Sequence, residues 1–170
     1  RHEIDFSFSY KDKLRFRGNA YFQRGYLGCS LRLIPYTIRT LQELNLPDIL
    51  VEFTRKKQGF FLVVGPTGHG KSTTLAAMVD MINRERAEHI LTIEDPVEYL
   101  FTQDRSIVDQ REVRTDTEGF QIALRSAFRQ DINVAMIGEM RDPETISTAV
   151  TAAETGHLIF SSLHTNSASQ

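Results

Sequence analysis

From Ile4 to Tyr10, apolar Ile4, Phe6, Phe8 and Tyr10 alternate with Asp5, Ser7 and Ser9, the two-residue period of a half-buried strand. The run from Leu14 to Gln23 puts Leu14, Phe16, Ala20 and Phe22 on one face and Arg15, Arg17, Asn19 and Gln23 on the other. After an Arg24-Gly25 turn, Leu27, Cys29, Leu31 and Leu33 alternate again, with Arg32 facing away from them. Three such runs in succession predict an antiparallel meander with an arginine-bearing face. Ile34-Pro35 closes it, because proline cannot extend a ladder and biases its predecessor toward extended backbone. Residues 35–39 read as a linker.

Beyond the linker a short helix is expected from Leu41 to Asn45, and a second after Pro47, before a break at Gly59. The texture then changes. Phe60–Val64, Ile90–Ile93, Val134–Ile137 and Leu158–Leu163 are short apolar runs, as strands buried on both faces should be. Between them, Lys71–Arg86, Thr117–Arg129 and Pro143–Glu154 carry helical spacing: Leu75, Met78, Val79 and Ile82 in the first, Phe120, Ala123, Leu124, Ala127 and Phe128 in the second. Pro143 suits a first helical turn and Gly156 a helix end. Strands alternating with helices predict a parallel α/β sheet. Residues 99–115 are polar and mixed, expected as extended excursions at the sheet edge. Arg1 leads straight into a strand, and Thr165 to Gln170 read as the opening of a further helix, so both ends are expected to be cut.

Composition narrows the classes. A formal net charge of −2 argues against a strongly cationic nucleic-acid binder. Cys29, the single cysteine, can form no internal disulfide, which fits a reducing, cytosolic setting. No apolar stretch approaches the ~20 residues needed to span a bilayer, so membrane contact would be peripheral.

The chemistry concentrates in Gly65-Pro66-Thr67-Gly68-His69-Gly70-Lys71-Ser72, a G-x-x-x-x-G-K-[ST] run between a buried strand and an amphipathic helix. Its glycines let the backbone curl and aim N–H groups at phosphates, Lys71 adds a compact positive charge, and the Ser72 hydroxyl suits Mg²⁺. The following helix, Thr73 in its first turn, directs its positive end at the same anion. His69 occupies a variable position and receives no chemistry of its own. Hydrolysis further needs a carboxylate near the end of a neighbouring parallel strand. Glu139 follows one such strand and Glu94-Asp95 another, and the carboxyl ends of strands are where open α/β sheets bind ligands. His157 and His164 flank the last strand; His164, at its carboxyl end, is placed to sense a γ-phosphate. Seven residues apart on one strand, the two cannot easily share a metal. His2 and His89 carry no functional signal.

These boxes resemble those of the secretion-ATPase superfamily of type IV pili and type II secretion, and within it the PilT-type retraction ATPases. The Walker A segment Gly65–Thr74 matches first. The family's Asp box resembles Thr92-Ile93-Glu94-Asp95-Pro96-Val97-Glu98, its atypical Walker B resembles Ile137-Gly138-Glu139-Met140-Arg141-Asp142, and its His box resembles Thr155-Gly156-His157-Leu158 continuing to Leu163-His164-Thr165. Asp109-Gln110-Arg111-Glu112-Val113 and the Ala153-Glu154-Thr155 lead-in favour the retraction branch.

The resemblance implies a RecA-like P-loop core over 37–170, preceded over 1–36 by the C-terminal part of an antiparallel PAS-like domain. It implies ATP and Mg²⁺ as ligands, with Ser72 and Glu94 at the metal. It also implies that arginines reach the phosphates, Arg17, Arg24 and Arg32 by position and Arg15 less closely; the competing reading is a solvated sheet face. The implied partners are five further copies in a homo-hexamer and an inner-membrane pilus platform protein, with no nucleic acid. The setting is the cytoplasmic face of the inner membrane. Two departures stand out: His69 where the family usually has Ser, and Asp131-Ile132-Asn133 where Asp-Pro-Asp is usual. An assembly or type II secretion ATPase, or a weakly hydrolytic regulatory subunit hinted at by Asn133, are the alternatives.

Overall fold

A computed structural model describes residues 2–11, 14–140 and 142–164. Among these lie eight strands and four helices, divided between two compact units. One comprises Arg1–Thr37 with Glu98–Leu100, the other Ile38–Val97 with Phe101–Gln170. The expected helix over Thr165 to Gln170 lies outside the described residues.

The first unit is an antiparallel sheet of β1 (Glu3–Tyr10), β2 (Leu14–Gln23) and β3 (Tyr26–Ile34), in the order β1-β2-β3. The β2–β3 hairpin closes on two residues, Arg24 and Gly25, both left-handed (φ 50° and 82°), the twist that matches flanking strands. Register follows the two-residue pattern. Phe8 pairs with Phe16 and stacks on it at 5.3 Å between ring centroids. Phe6 lies over Gly18 so closely that a Cβ there would sit 2.3 Å from its ring.

The second unit is built on a parallel sheet of β4 (Gly59–Val64), β5 (His89–Glu94), β6 (Ile107–Glu112), β7 (Val134–Ile137) and β8 (Leu158–Leu163). Their order is β4-β8-β7-β5-β6. Helices α1 (Ile49–Thr54), α2 (Lys71–Glu85), α3 (Phe120–Ala127) and α4 (Pro143–Glu154) complete it. Alternate residues of each strand feed opposite faces. Leu91, Ile93, Ala135, Ile137 and Ile159 pack with Ala123, Leu124 and Ala152 of α3 and α4. Ile90, Val134, Met136, Leu158 and Phe160 pack with Leu75, Met78 and Ile82 of α2. A sheet buried on both sides explains why its strands read as unbroken apolar runs.

Two local expectations change and a third is sharpened. Leu41–Asn45 is a turn rather than a helix: Thr40 and Glu43 form a reciprocal capping box, but Asn45 turns left-handed (φ 53°) and ends it. The helix expected from Thr117 begins at Phe120, after the extended Gly119. Within the polar 99–115 stretch, Ile107–Glu112 forms a regular edge strand paired with β5 along its length. Its sequence lacks an apolar run because an edge strand is only half covered.

Candidate nucleotide site

The glycine-rich loop leaves β4 and enters α2. Gly68 and Gly70 are left-handed (φ 81° and 79°), a conformation that L side chains rarely adopt, and a Cβ at either would meet nothing within 4 Å. Gly70 is the N-cap of the 15-residue α2, whose positive end faces the loop. Lys71 is buried, and its Nζ donates to the carbonyls of Gly65 (2.8 Å) and Pro66 (3.0 Å). Ser72 and Thr73 follow in the first turn, half-buried. Pro66, Thr67 and His69 are exposed on the loop, and the His69 side chain makes no hydrogen bond among those found for the described residues.

Glu139 reaches this loop through an intermediary. β8 lies between β4 and β7, so the carboxylate stands two strands from the loop, about 10 Å at ordinary strand spacing. His164, directly after β8, bridges the gap. Its Nδ1 lies 3.3 Å from both Lys71 Nζ and Thr67 Oγ1, and its Nε2 lies 3.2 Å from Glu139 Oε1. Backbone neighbours of Glu139 are fixed on both sides. Gly138 N–H donates to Ile93 O (2.8 Å), the Ser162 hydroxyl donates to Gly138 O (2.7 Å), and Met140 N–H donates to Ser162 O. Ser162 is the contributor that sequence reasoning missed; two buried serines, 161 and 162, in an otherwise apolar strand were the available signal.

Glu94 is one strand further, beyond β7, and is buried. Its carboxylate accepts from the Thr92 hydroxyl (2.7 Å) and, at 3.5 Å, from Gln110 Nε2 of β6. Beside it, Glu112 accepts from Val97 N–H and the Thr115 hydroxyl, pinning the loop after β5 to the turn after β6. Asp142 ends the Walker B segment as the cap of α4: the Thr145 N–H (2.8 Å) and then its hydroxyl (2.7 Å) hold its carboxyl below the ordinary aspartate range.

His157 is not brought to the loop. It sits at the amino end of β8, about 20 Å away along the strand. Its Nδ1 is 3.1 Å from Ala152 O and its ring packs on Phe128. Asn133 is at that same far end. Its Oδ1 accepts from His89 N–H (2.8 Å), and its backbone pairs with His89 and Leu158. The departure at Asn133 therefore clips three strands together and does not touch the loop. In the first unit, Arg17 pairs directly with Arg32 across β2–β3, and Arg15 Nη2 donates to Ser7 Oγ. Arg24, at the hairpin, is about 23 Å along the strand from Arg17, so the three candidates do not form one cluster.

The residues fit a Mg²⁺–nucleotide pair. The cradle is open where a Cβ would intrude, and the nearby donors are hydroxyl and carboxylate oxygens, the ligands this ion prefers. Among the described residues no group of three or more His, Cys, Asp or Glu gathers to hold a metal alone. The remaining ligands would come from phosphate oxygens and water, as is usual for Mg²⁺.

A parallel sheet with this loop at a helix start, and an acidic strand end two strands away, is a P-loop nucleotide-binding core. Comparison with known proteins places it further. The family described as type II/IV secretion system protein matches residues 31–170, and the chain belongs to that family. It is 50% identical to the type IV pilus retractation ATPase PilT of Pseudomonas aeruginosa, over 99% of this chain and 49% of that protein. A twitching motility protein of Neisseria gonorrhoeae is 49% identical, over 99% of this chain and 45% of that one. The crystal structure of the pilus retraction motor PilT with bound ADP superposes with a TM-score of 0.95 at 52% identity, covering 98% of this chain and 48% of that one. The chain thus spans about half the length of the relatives it matches. No helix among the described residues is long and apolar enough to cross a membrane.

Proposed function

We propose that this chain is the ATP-hydrolysing part of a type IV pilus retraction motor. The observation that carries the reading is the junction of Lys71, His164 and Glu139, which joins a phosphate cradle to a carboxylate able to orient water. A binding-only module would need the cradle without the carboxylate. On ATP binding, Lys71 exchanges the Gly65 and Pro66 carbonyls for phosphate oxygens, and the positive end of α2 faces the same charge. Glu139 then orients the attacking water. Ser72 would hold Mg²⁺, with Glu94, three strands from the loop strand, contributing through the ion's water ligands; the ion when bound neutralises charge developing on the phosphates.

The likeness to PilT supports the wider reading: a homo-hexamer on the cytoplasmic face of the inner membrane, turning a pilus platform protein, without nucleic acid. Of the three arginine candidates, Arg17 and Arg32, paired across β2–β3, are the two that can act on one anion; a cation that stabilises the transition state contributes ~10³–10⁵ in rate. Asn133, at the opposite sheet end from the loop, gives no support to a weakly hydrolytic regulatory subunit. The test is Glu139→Gln in the full-length protein. ATP should still bind while phosphate release falls at least ~100-fold; undiminished release would sink the assignment.

A further inference from the structure

A hydroxyl buried within a sheet costs stability unless it is bonded, so a serine in a buried strand is there for its bond. β8 is apolar until Ser161 and Ser162, which are 0% and 3% exposed. Each hydroxyl donates across to the β7 segment at the same 2.7 Å, Ser161 to Ile137 O and Ser162 to Gly138 O. The two carbonyls differ in what surrounds them. Ile137 is paired with Ser161 inside the β7–β8 ladder, whereas Gly138 lies past its last pair. Ser162 also accepts, through its own carbonyl, from Met140 N–H at 3.3 Å. One residue of β8 therefore holds both peptide groups that flank Glu139. The next residue, Leu163, accepts through its carbonyl from Gly65 N–H, at the start of the phosphate loop.

We propose that Ser162 is a positioning residue for Glu139. Its hydroxyl and carbonyl take over where the β7–β8 ladder ends, and they fix the Glu139 backbone relative to the loop that Leu163 holds. The inference rests on the reading of Glu139 given above and deepens it. It concerns the backbone of that residue, whatever its carboxylate touches. On the β5 side the Gly138 N–H is bonded to Ile93 O at 2.8 Å, so the Ser162 hydroxyl secures the same residue from the β8 side. Without that hydroxyl the Gly138 carbonyl is free to turn, and the peptide of Glu139 turns with it. A misplacement of about 1 Å at a reacting group costs ~10²-fold, so a few tenths of an ångström should cost about tenfold.

The test compares serine variants of the full-length protein, reading Tm, affinity for a non-hydrolysable ATP analogue with Mg²⁺, and turnover of ATP. Ser161→Ala and Ser162→Ala each remove one buried hydroxyl and one 2.7 Å bond, so both should lower Tm similarly, by about 2–4 °C. Only Ser162→Ala should lower kcat, about tenfold, with analogue affinity within about twofold of the parent. Ser161→Ala should keep kcat within about twofold. Ser162→Thr, which returns the hydroxyl, should recover most of the loss, and Ser162→Cys, a weaker donor, should fall between. In a Glu139→Gln background, Ser162→Ala should change kcat by less than about twofold, because no carboxylate remains to be placed. Parental kcat in Ser162→Ala, equal kcat losses in the two alanine variants, or a further tenfold loss in the Glu139→Gln background would overturn the positioning role. Lys71→Ala binding the analogue as tightly as the parent, or parental turnover in Glu139→Gln, would instead overturn the nucleotide-site reading beneath it.

Discussion

Gly138, directly after β7, lies against the carboxyl end of β5. An alanine methyl there would sit 3.4 Å from Glu94 Cα, 3.4 Å from Ile93 O and 3.5 Å from Glu94 Cγ. Two of these three atoms are backbone in a central strand, and Gly138 cannot retreat without stretching its own 2.8 Å bond to Ile93 O. Contacts of 3.4–3.5 Å are ordinary van der Waals distances, so the methyl fills this space without moving the strand ends. Replacing glycine where φ is not left-handed stabilises by about 0.4–1 kcal/mol, by restricting the unfolded chain. Gly138→Ala should therefore raise Tm by about 1–4 °C. Because Glu139, the next residue, is left in place, kcat and ATP affinity should stay within about twofold of the parent, whereas a misplacement of about 1 Å would cost ~10²-fold. Thermal melts, analogue titration and phosphate release on full-length protein measure all three. A lower Tm, or a kcat reduced about tenfold, would refute the fit.

Asp142→Ala should cost about 1 kcal/mol through loss of the α4 cap, with the exposed carboxylate keeping the ionic share small. Because Thr145 lowers the folded-state pKa of Asp142, that contribution is present above the unfolded value, about 4, and fades as pH falls through the lower folded value. Urea melts of parent and variant should differ at pH 7, and the gap should narrow as pH falls below about 4 through the lowered folded value; a constant gap would exclude the ionised cap. Arg32→Thr removes one of two like charges set directly opposite each other, which should leave the sheet equally stable or better by about 0.2–1 kcal/mol. If the arginines serve the phosphates, the same variant lowers ATP turnover of the full-length protein; unchanged turnover would mean a solvated face.

Much of this molecule was legible in its sequence, for identifiable reasons. Two-residue alternation in β1 to β3 and apolar runs in β4, β5, β7 and β8 report burial directly. The glycine-rich loop is legible because only a few residues can hold left-handed turns before a helix. Ile107–Glu112 was legible only as extended chain at the sheet edge, since an edge strand shows no continuous apolar signal and is defined by its pairing with β5. Leu41–Asn45 misled because its capping box is a genuine helix start; the left-handed Asn45 stops it after one turn.

The local chemistry of the site belongs to the sequence: glycines that can curl, a lysine and a serine at a helix start, and acids and a histidine at strand ends. Those properties follow from covalent structure and short-range sterics. Which of these groups meet is a matter of strand order, and strand order depends on long-range pairing that no local pattern encodes. Only the tertiary structure inserts β8 between β4 and β7, sets His164 between Lys71 and Glu139, leaves Glu94 a strand further off, and sends His157 to the far end.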